Sequence, residues 1–189
     1  MPIKPEILKR QTLIRSRLFR VDEVQLRFSN GAERTYEKLC SGGPGAVLIV
    51  PLLNDDTLLM IREYAAGLHG YHLACPKGAV DPGEDLLVAA NRELQEEAGY
   101  AARKLTFLKK LYLSPSYMEH GINIIIAQDL YPARLEGDEP EPIEVEAVPF
   151  GQLGELCMRD EVSEGRTIAA LFLVREWLAR NPEGSHAGG

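Results

Sequence analysis

One segment, residues 78–100, constrains this chain more than any other, because its acidic residues recur at helical spacing. Glu93, Glu96 and Glu97 are spaced i, i+3 and i+4, so on an α-helix their carboxylates share one face. Glu84 precedes them and can approach that face from the start of the helix. Adjacent carboxylates raise one another's pKa, and oxygen-only clusters suit hard cations such as Mg2+ or Mn2+. The segment therefore predicts a helix that carries divalent metal ions on one side.

The other side of this helix is predicted to face the core, because its apolar residues also follow helical spacing. These residues are Leu86, Leu87, Ala90, Leu94 and Ala98. Pro82 and Gly83 precede the helix, and Gly99 suits the position just after its last turn. Arg92 lies four residues before Glu96 and can hold that carboxylate in place. The alternative interpretation is a solvated helix face that is rich in glutamate and binds no metal.

The full pattern of the segment, G-x5-E-x7-R-E-L-x-E-E-x-G-Y, resembles the box of the Nudix superfamily. It matches that box at Gly78, Glu84, Arg92, Glu93, Glu96, Glu97 and Gly99. Tyr100 departs from the family, which usually has an aliphatic residue there. The resemblance implies an α/β fold, the Nudix-type αβα sandwich with a mixed central sheet. It also implies a pyrophosphohydrolase, in which water attacks phosphorus and the pyrophosphate bridge of a nucleotide breaks.

The resemblance covers nearly the whole chain and points to bacterial Nudix enzymes that act on ADP-containing compounds. Outside the box it is carried by segments such as IREY at 61–64, FLKKL at 107–111, AQDLYP at 127–132 and LEGDEPEP at 135–142. The substrates implied are ADP-ribose, diadenosine polyphosphates and NADH, with AMP or ADP released. Pro115 and Tyr117 follow Gly99 at spacings similar to those in relatives that cut ADP-ribose and diadenosine polyphosphates, respectively. Both are therefore candidate substrate-binding residues, and an ordinary turn is the alternative.

The resemblance also implies roles for the charged residues of the box. Glu93 and Glu97 are expected to be the principal metal ligands, and Glu96 a shared or outer ligand that Arg92 orients. Glu84 is expected either to bind metal through water or to form an ion pair with Arg92. Two or three Mg2+ (or Mn2+) ions per site would neutralise the phosphates and activate the attacking water.

A general base is expected from an acidic loop well after the box, as in the relatives that cut ADP-ribose. Glu139 is our candidate base and Glu141 a candidate ligand. The alternative is that this loop is only a solvated acidic turn, in which case Glu96 is the candidate base. The carbonyl of Lys77 is a further candidate oxygen ligand for metal.

Two residues outside the box are predicted to contact substrate. Phe19 is similar in context to the phenylalanine that stacks on adenine in the ADP-ribose enzymes, and a place in a dimer core is the alternative. Arg62 can reach a phosphate, and a salt bridge at a strand edge is the alternative.

The chain divides at a glycine-rich joint, residues 41–45. Residues 1–44 are predicted to form N-terminal strands that pair two subunits and cap the substrate, with a hairpin over residues 19–39. Residues 1–17 are basic and weakly patterned. Residues 45–180 are predicted to form the Nudix domain, and residues 181–189 a disordered tail. A homodimer is expected, because the hairpin cannot bury both of its faces on a complete domain.

Hydrophobic patterning predicts the elements of the Nudix domain around the box. The expected strands cover residues 46–53, 57–64, 106–113, 123–130 and 145–148, and the expected helices cover residues 150–158 and 167–180. Residues 46–53 form a nearly continuous apolar run, which indicates a central strand buried on both faces.

Composition excludes several other classes of protein. The net charge of −7 argues against a nucleic acid partner, because polyanions need a basic surface. No apolar run approaches the length of a membrane span. Three scattered cysteines, Cys40, Cys75 and Cys157, suit reduced thiols in the cytoplasm. Two rival functions remain, namely an ADP-ribose sensor without catalytic activity and a pyrophosphatase that acts on a nucleotide sugar.

Overall fold

A computed structural model of the chain describes residues 2–182. Its N-terminal part is a three-stranded antiparallel sheet of β1 (Glu6–Arg15), β2 (Arg20–Arg27) and β3 (Glu33–Cys40), in that spatial order. The predicted hairpin corresponds to β2 and β3, and the turn between them has Gly31 in the left-handed region at φ 80°. β1 lies within the weakly patterned segment 1–17. Its pattern is weak because every residue of β1 except Leu8 is exposed.

The second sheet has seven strands and is mixed. These are β4 (Ala46–Asn54), β5 (Thr57–Ala65), β6 (Gly70–Ala74), β7 (Lys77–Ala79), β8 (Tyr100–Tyr112), β9 (Gly121–Pro132) and β10 (Glu144–Pro149). The main order is β10-β5-β4-β9-β8, with β6 paired to β5 and β7 paired to β4. The pair β4–β9 is parallel and the other pairs are antiparallel. Residues 47–52 of β4 are buried, which confirms the predicted central strand.

Helices cover both faces of this sheet. α1 (Leu86–Ala98) connects β7 to β8, a 3-10 turn (Phe150–Gln152) leads into the short α2 (Leu153–Leu156), and α3 (Gly165–Arg180) follows. Alternation along β4 sends Val47 and Ile49 into the core layer beneath α1. Leu48 and Val50 point into the opposite layer, where α3 packs. The layers are therefore helix, sheet and helix, which confirms the predicted αβα sandwich.

The N-terminal sheet contacts the second sheet through the loop that joins β8 to β9. The N–H of Leu39 donates to the carbonyl of Tyr117 at 2.7 Å, and the N–H of Glu119 donates to the carbonyl of Leu39 at 2.9 Å. Lys38 also forms an ion pair with Glu119. The predicted disordered tail, residues 181–189, lies outside the described residues from position 183 onward. Within residues 2–182, no helix has the length and apolar character needed to cross a membrane.

Candidate active site

The helix of the glutamate-rich segment, α1, is fixed at both of its ends. The side chain of Asp85 accepts hydrogen bonds from the N–H groups of Leu87 and Val88, at 2.8 and 3.3 Å, and so caps the first turn. Gly99 ends the helix with φ 73°, in the left-handed region that favours glycine. The apolar side of α1 is buried against the sheet. The carboxylates of the helix are therefore held on the side that remains open.

One guanidinium, that of Arg92, joins three of these carboxylates. Its Nε and Nη2 donate to the two oxygens of Glu84 at 3.0 and 3.1 Å. Its Nη1 donates to Glu93 at 2.8 Å and to Glu96 at 3.0 Å, and Nη2 also donates to the carbonyl of Ala79 at 3.0 Å. The hydrogen bonds from Arg92 hold the pKa of Glu84 below its usual value. Arg92 thus contacts Glu96, and Glu84 forms an ion pair with Arg92.

The carboxylate of Glu93 lies directly against the backbone of Gly78. A Cβ atom built on Gly78 would lie 1.9 Å from Glu93 Cδ and 2.1 Å from each carboxylate oxygen. No side chain fits there without displacing Glu93. The close approach of Glu93 therefore explains glycine at position 78. Backbone conformation does not explain it, because the φ of Gly78 lies outside the left-handed region.

The carboxylate of Glu97 is the most deeply buried of the group, with 6% of the residue exposed. It accepts a hydrogen bond from the N–H of Lys77 at 2.8 Å. Burial raises the pKa of Glu97 to about 8, against the opposing effects of that N–H and of the lysine charge. Burial likewise raises the pKa of Glu93, against the opposing effect of Arg92. A nearby divalent cation would favour the ionised form of both groups.

A residue that sequence reasoning missed, Glu63 on β5, joins this group. Single oxygens of Glu63, Glu97 and Glu139 all lie within 4.8 Å of one another. The Nζ of Lys77 contacts the carboxylate of Glu63. The available signal was alternation along β5, because Glu63 shares a sheet face with the fully buried Ile61. A charged residue at an inward-facing position is itself an indication of a site.

The acidic loop before β10 borders the carboxylates. Residues 134–143 line a cavity of about 710 Å³ together with Glu93, Glu96 and Glu97. Glu139 points into the three-carboxylate group, whereas the carboxylate of Glu141 accepts a hydrogen bond from the hydroxyl of Tyr71. The structure thus brings Glu139 to the site and places Glu141 outside that group.

The other predicted substrate contacts lie outside the cavity that Glu93, Glu96 and Glu97 border. Arg62 forms ion pairs with Glu144, Glu146 and Glu161, at 3.5, 3.2 and 2.8 Å, which is the salt-bridge alternative. It also lines a cavity of about 440 Å³ that shares Glu63 and Glu139 with the carboxylate group.

Pro115 and Tyr117 line a different cavity, of about 430 Å³, beside the N-terminal sheet. Phe19 is 53% exposed in the turn between β1 and β2, and it lines neither of these cavities. No contact within the described chain joins these three residues to the glutamates.

The donor set fits divalent metal ions. All candidate side-chain ligands are carboxylates, which hard cations prefer, and Glu93, Glu96 and Glu97 border one cavity. The close approach at Gly78 and the hydrogen bonds from Arg92 position Glu93 and Glu96, and the N–H of Lys77 positions Glu97. These carboxylates could hold divalent ions, and the solvated-face alternative does not account for the burial of Glu93 and Glu97.

Comparison with known proteins identifies the family. Residues 43–171 match the family model of the NUDIX domain. The chain belongs to the Nudix hydrolase superfamily. Residues 5–38 match a second model, the NudE-type Nudix hydrolase N-terminal domain, which covers β1, β2 and most of β3. The match to this family identifies the protein as a Nudix pyrophosphohydrolase. Nudix hydrolases generally use divalent metal ions.

Individual relatives of this Nudix hydrolase resemble it along nearly its full length. It is 52% identical to the ADP compounds hydrolase NudE of Escherichia coli (strain K12), over 93% of this chain and 94% of that protein. It is 29% identical to the ADP-ribose pyrophosphatase of Bacillus subtilis (strain 168), over 80% of each. A crystal structure of an ADP compounds hydrolase superposes with a TM-score of 0.88 at 50% identity, covering 96% of this chain and 97% of that one.

Proposed function

We propose that this Nudix hydrolase cleaves the pyrophosphate linkage of ADP-containing compounds such as ADP-ribose, diadenosine polyphosphates and NADH. Water attacks one phosphorus, the bridging P–O bond breaks, and AMP or ADP leaves with the remainder of the substrate as the second product. The observation that carries the proposal is that Glu93, Glu96 and Glu97 border one cavity, in a chain 52% identical to a named ADP compounds hydrolase.

We propose Mg2+ (or Mn2+) as the metal, with two or three ions per site. Glu93 and Glu97 would be the principal ligands and Glu96 a shared one, with Glu84 acting through its ion pair with Arg92. Bound metal would neutralise phosphate charge and lower the pKa of a water molecule. The protein would then act mainly by positioning the carboxylates that hold the metal. The hydrogen bonds from Arg92 to these carboxylates support that role.

Glu139 is our proposed general base. Burial raises the pKa of Glu139, and the negative charges of Glu63 and Asp138 raise it further. A base is more effective when its pKa lies closer to the working pH. The proposed ligand role of Glu141 requires its carboxylate to leave Tyr71, and Glu96 remains the alternative base.

We also propose that the protein is a homodimer paired through the N-terminal sheet. β1 is an edge strand with both faces uncovered, and Ile7, Ile14 and Leu18 are more than 60% exposed. An exposed edge strand with large apolar side chains can pair with another chain. A partner could carry Phe19 toward the second carboxylate site, where it would stack on adenine. Pro115 and Tyr117 would then border the substrate from the sheet side.

A panel of substrates tests the proposal directly. AMP or ADP release would be measured with ADP-ribose, NADH and diadenosine triphosphate over a Mg2+ titration, with GDP-mannose as the comparison substrate. We expect metal-dependent turnover of the ADP compounds and little turnover of GDP-mannose. Binding of ADP-ribose without turnover would support the sensor instead, and preference for GDP-mannose would support a nucleotide-sugar pyrophosphatase.

We further propose that the protein is located in the cytoplasm. Its three free cysteines support this location, and cell fractionation would test it.

A further inference from the structure

Glu63 lies on β5, a strand that carries none of the ligands expected from the box. Its side chain is 20% exposed and points to the α1 face of the sheet. Its carboxylate offers an oxygen within 4.8 Å of oxygens from both Glu97 and Glu139. Three carboxylates this close repel one another, so a positive charge among them is strongly favoured.

Lys77 contacts two of these carboxylates, one through its backbone and the other through its side chain. Its backbone N–H donates to Glu97 at 2.8 Å, and its ammonium forms an ion pair with Glu63. The lysine side chain is only 14% exposed, so this ion pair is partly shielded from solvent. An ammonium has only donors and cannot be a metal ligand, so Lys77 and a cation would compete for Glu63.

A second observation at the same place is His72 on β6. It is directly opposite Glu63 in the β5–β6 ladder, so the two side chains leave the sheet on the same face. His72 is 7% exposed, and neither of its ring nitrogens has a hydrogen-bond partner among residues 2–182. Buried polar groups are nearly always hydrogen-bonded, and ligating carboxylates usually have such a partner behind them.

We propose that Glu63 is an additional metal ligand that shares a divalent ion with Glu97, and that Lys77 is a built-in cation competing for the same carboxylate. When the divalent ion binds, the ammonium of Lys77 leaves Glu63, and one positive group replaces another. His72 is a positioning residue that donates to the second oxygen of Glu63. Glu139 borders this ion and remains free to accept a proton. The inference rests on the proposed function, because it extends the same metal site.

Direct measurement of metal binding tests the proposal without relying on activity. Mn2+ would be titrated into the full-length protein, and bound ion measured by electron paramagnetic resonance. Glu63→Gln is expected to weaken one class of site about tenfold or more, in the range seen when a group supporting a metal site is lost. Lys77→Met keeps the backbone N–H and removes the ammonium, so it is expected to tighten that same class severalfold. His72→Leu should weaken Mn2+ binding at this class of site. His72→Gln keeps a donor and should bind Mn2+ more tightly than His72→Leu does.

Matched controls separate these effects from general changes in charge. Glu176→Gln removes a carboxylate on α3 whose side chain is 59% exposed, and Lys109→Met removes an exposed lysine on β8. Both are expected to leave Mn2+ affinity unchanged. Unchanged affinity in Glu63→Gln, or weaker binding in Lys77→Met, would overturn the inference while leaving the proposed function intact. A wild-type protein that binds no Mn2+ would refute both. If circular dichroism shows that Glu63→Gln is unfolded, Lys77→Met still tests whether Lys77 competes with the divalent ion for Glu63, because this substitution removes no ligand.

Discussion

The carboxylate of Glu93 occupies the space that a side chain at Gly78 would need, with its Cδ 1.9 Å from the position of a Cβ atom. The two residues are on different elements, β7 and α1. The absence of a side chain at Gly78 lets the carboxylate of Glu93 lie directly against β7. The spacing between the first glycine and the glutamates of the box is therefore a packing requirement as well as a chemical one.

Gly78→Ala is expected to abolish most activity, because the new methyl group must push Glu93 out of position. Overpacking of this kind typically costs about 1–3 kcal/mol of stability. Turnover and thermal unfolding would be measured beside Gly154→Ala, where a Cβ atom meets nothing within 4 Å. Equal activity in the two variants would show that Glu93 can move freely.

Glu97→Gln is expected to lower turnover by about three decades or more, which is the scale for losing one electrostatic group at such a site. The amide oxygen can still accept from Lys77, so the fold should be retained. The measurement is kcat at saturating Mg2+, with circular dichroism as the check on folding. Glu155→Gln, an exposed substitution on α2, is the control. Normal turnover by a folded Glu97→Gln protein would rule out the metal assignment.

Glu139→Gln is expected to lower kcat by about two to four decades with little change in KM, as for a lost general base. Glu141→Gln is expected to raise the Mg2+ requirement instead. Rates over a Mg2+ titration distinguish the two variants. If neither variant differs from wild type, the loop is only a solvated acidic turn, and Glu96 becomes the base to test.

The N-terminal sheet contains a buried acid whose titration should be visible in stability. The hydrogen bond from Arg10 lowers the pKa of Asp22 to about 2, although burial opposes the shift. Its stabilising contribution is therefore complete above the usual pKa of an aspartate and is lost as the pH falls toward 2. Denaturant unfolding from pH 5 to pH 2 should show a larger loss of stability in the wild type than in Asp22→Asn, in which other carboxylates with a lowered pKa, such as Glu84, still titrate. Asp55→Asn, in an exposed turn, should behave like the wild type.

Deleting residues 1–42 is expected to give insoluble protein or an inactive monomer, because β1, β2 and β3 would supply the dimer contact. A sharper variant is Ile14→Asp on the uncovered edge strand, compared with Leu68→Asp, which is similarly exposed on the Nudix domain. Light scattering should show a smaller mass for Ile14→Asp alone. A soluble, fully active monomer after the deletion would refute the dimer.

Sequence reasoning succeeded where periodicity and burial act together. β4 was predicted because an unbroken apolar run needs cover on both faces, and α1 was predicted because its apolar and acidic sides alternate at helical spacing. β1 was missed because it is exposed on both faces, so no alternation marks it.

Helical spacing predicted the site only where its residues are close in sequence, and Glu139 was expected only from the family resemblance. Glu93, Glu96 and Glu97 share one helix, whereas Glu63 joins them through pairing of distant strands and a loop. The same limit applies to Arg62, whose partners Glu146 and Glu161 lie far along the chain. Long-range contacts of single charged residues leave no periodic signal.

The hydrogen bonds of Arg92 have a consequence for how such an enzyme can diverge. One guanidinium holds Glu84, Glu93, Glu96 and the carbonyl of Ala79, so a substitution at any of the three glutamates changes the hydrogen bonds available to the other two. The loops at 113–120 and 134–143 make no hydrogen bond to Arg92, so their residues other than Glu139 and Glu141 can be substituted without disturbing this arrangement. New substrate preferences can arise in those loops while the hydrolytic chemistry remains constant.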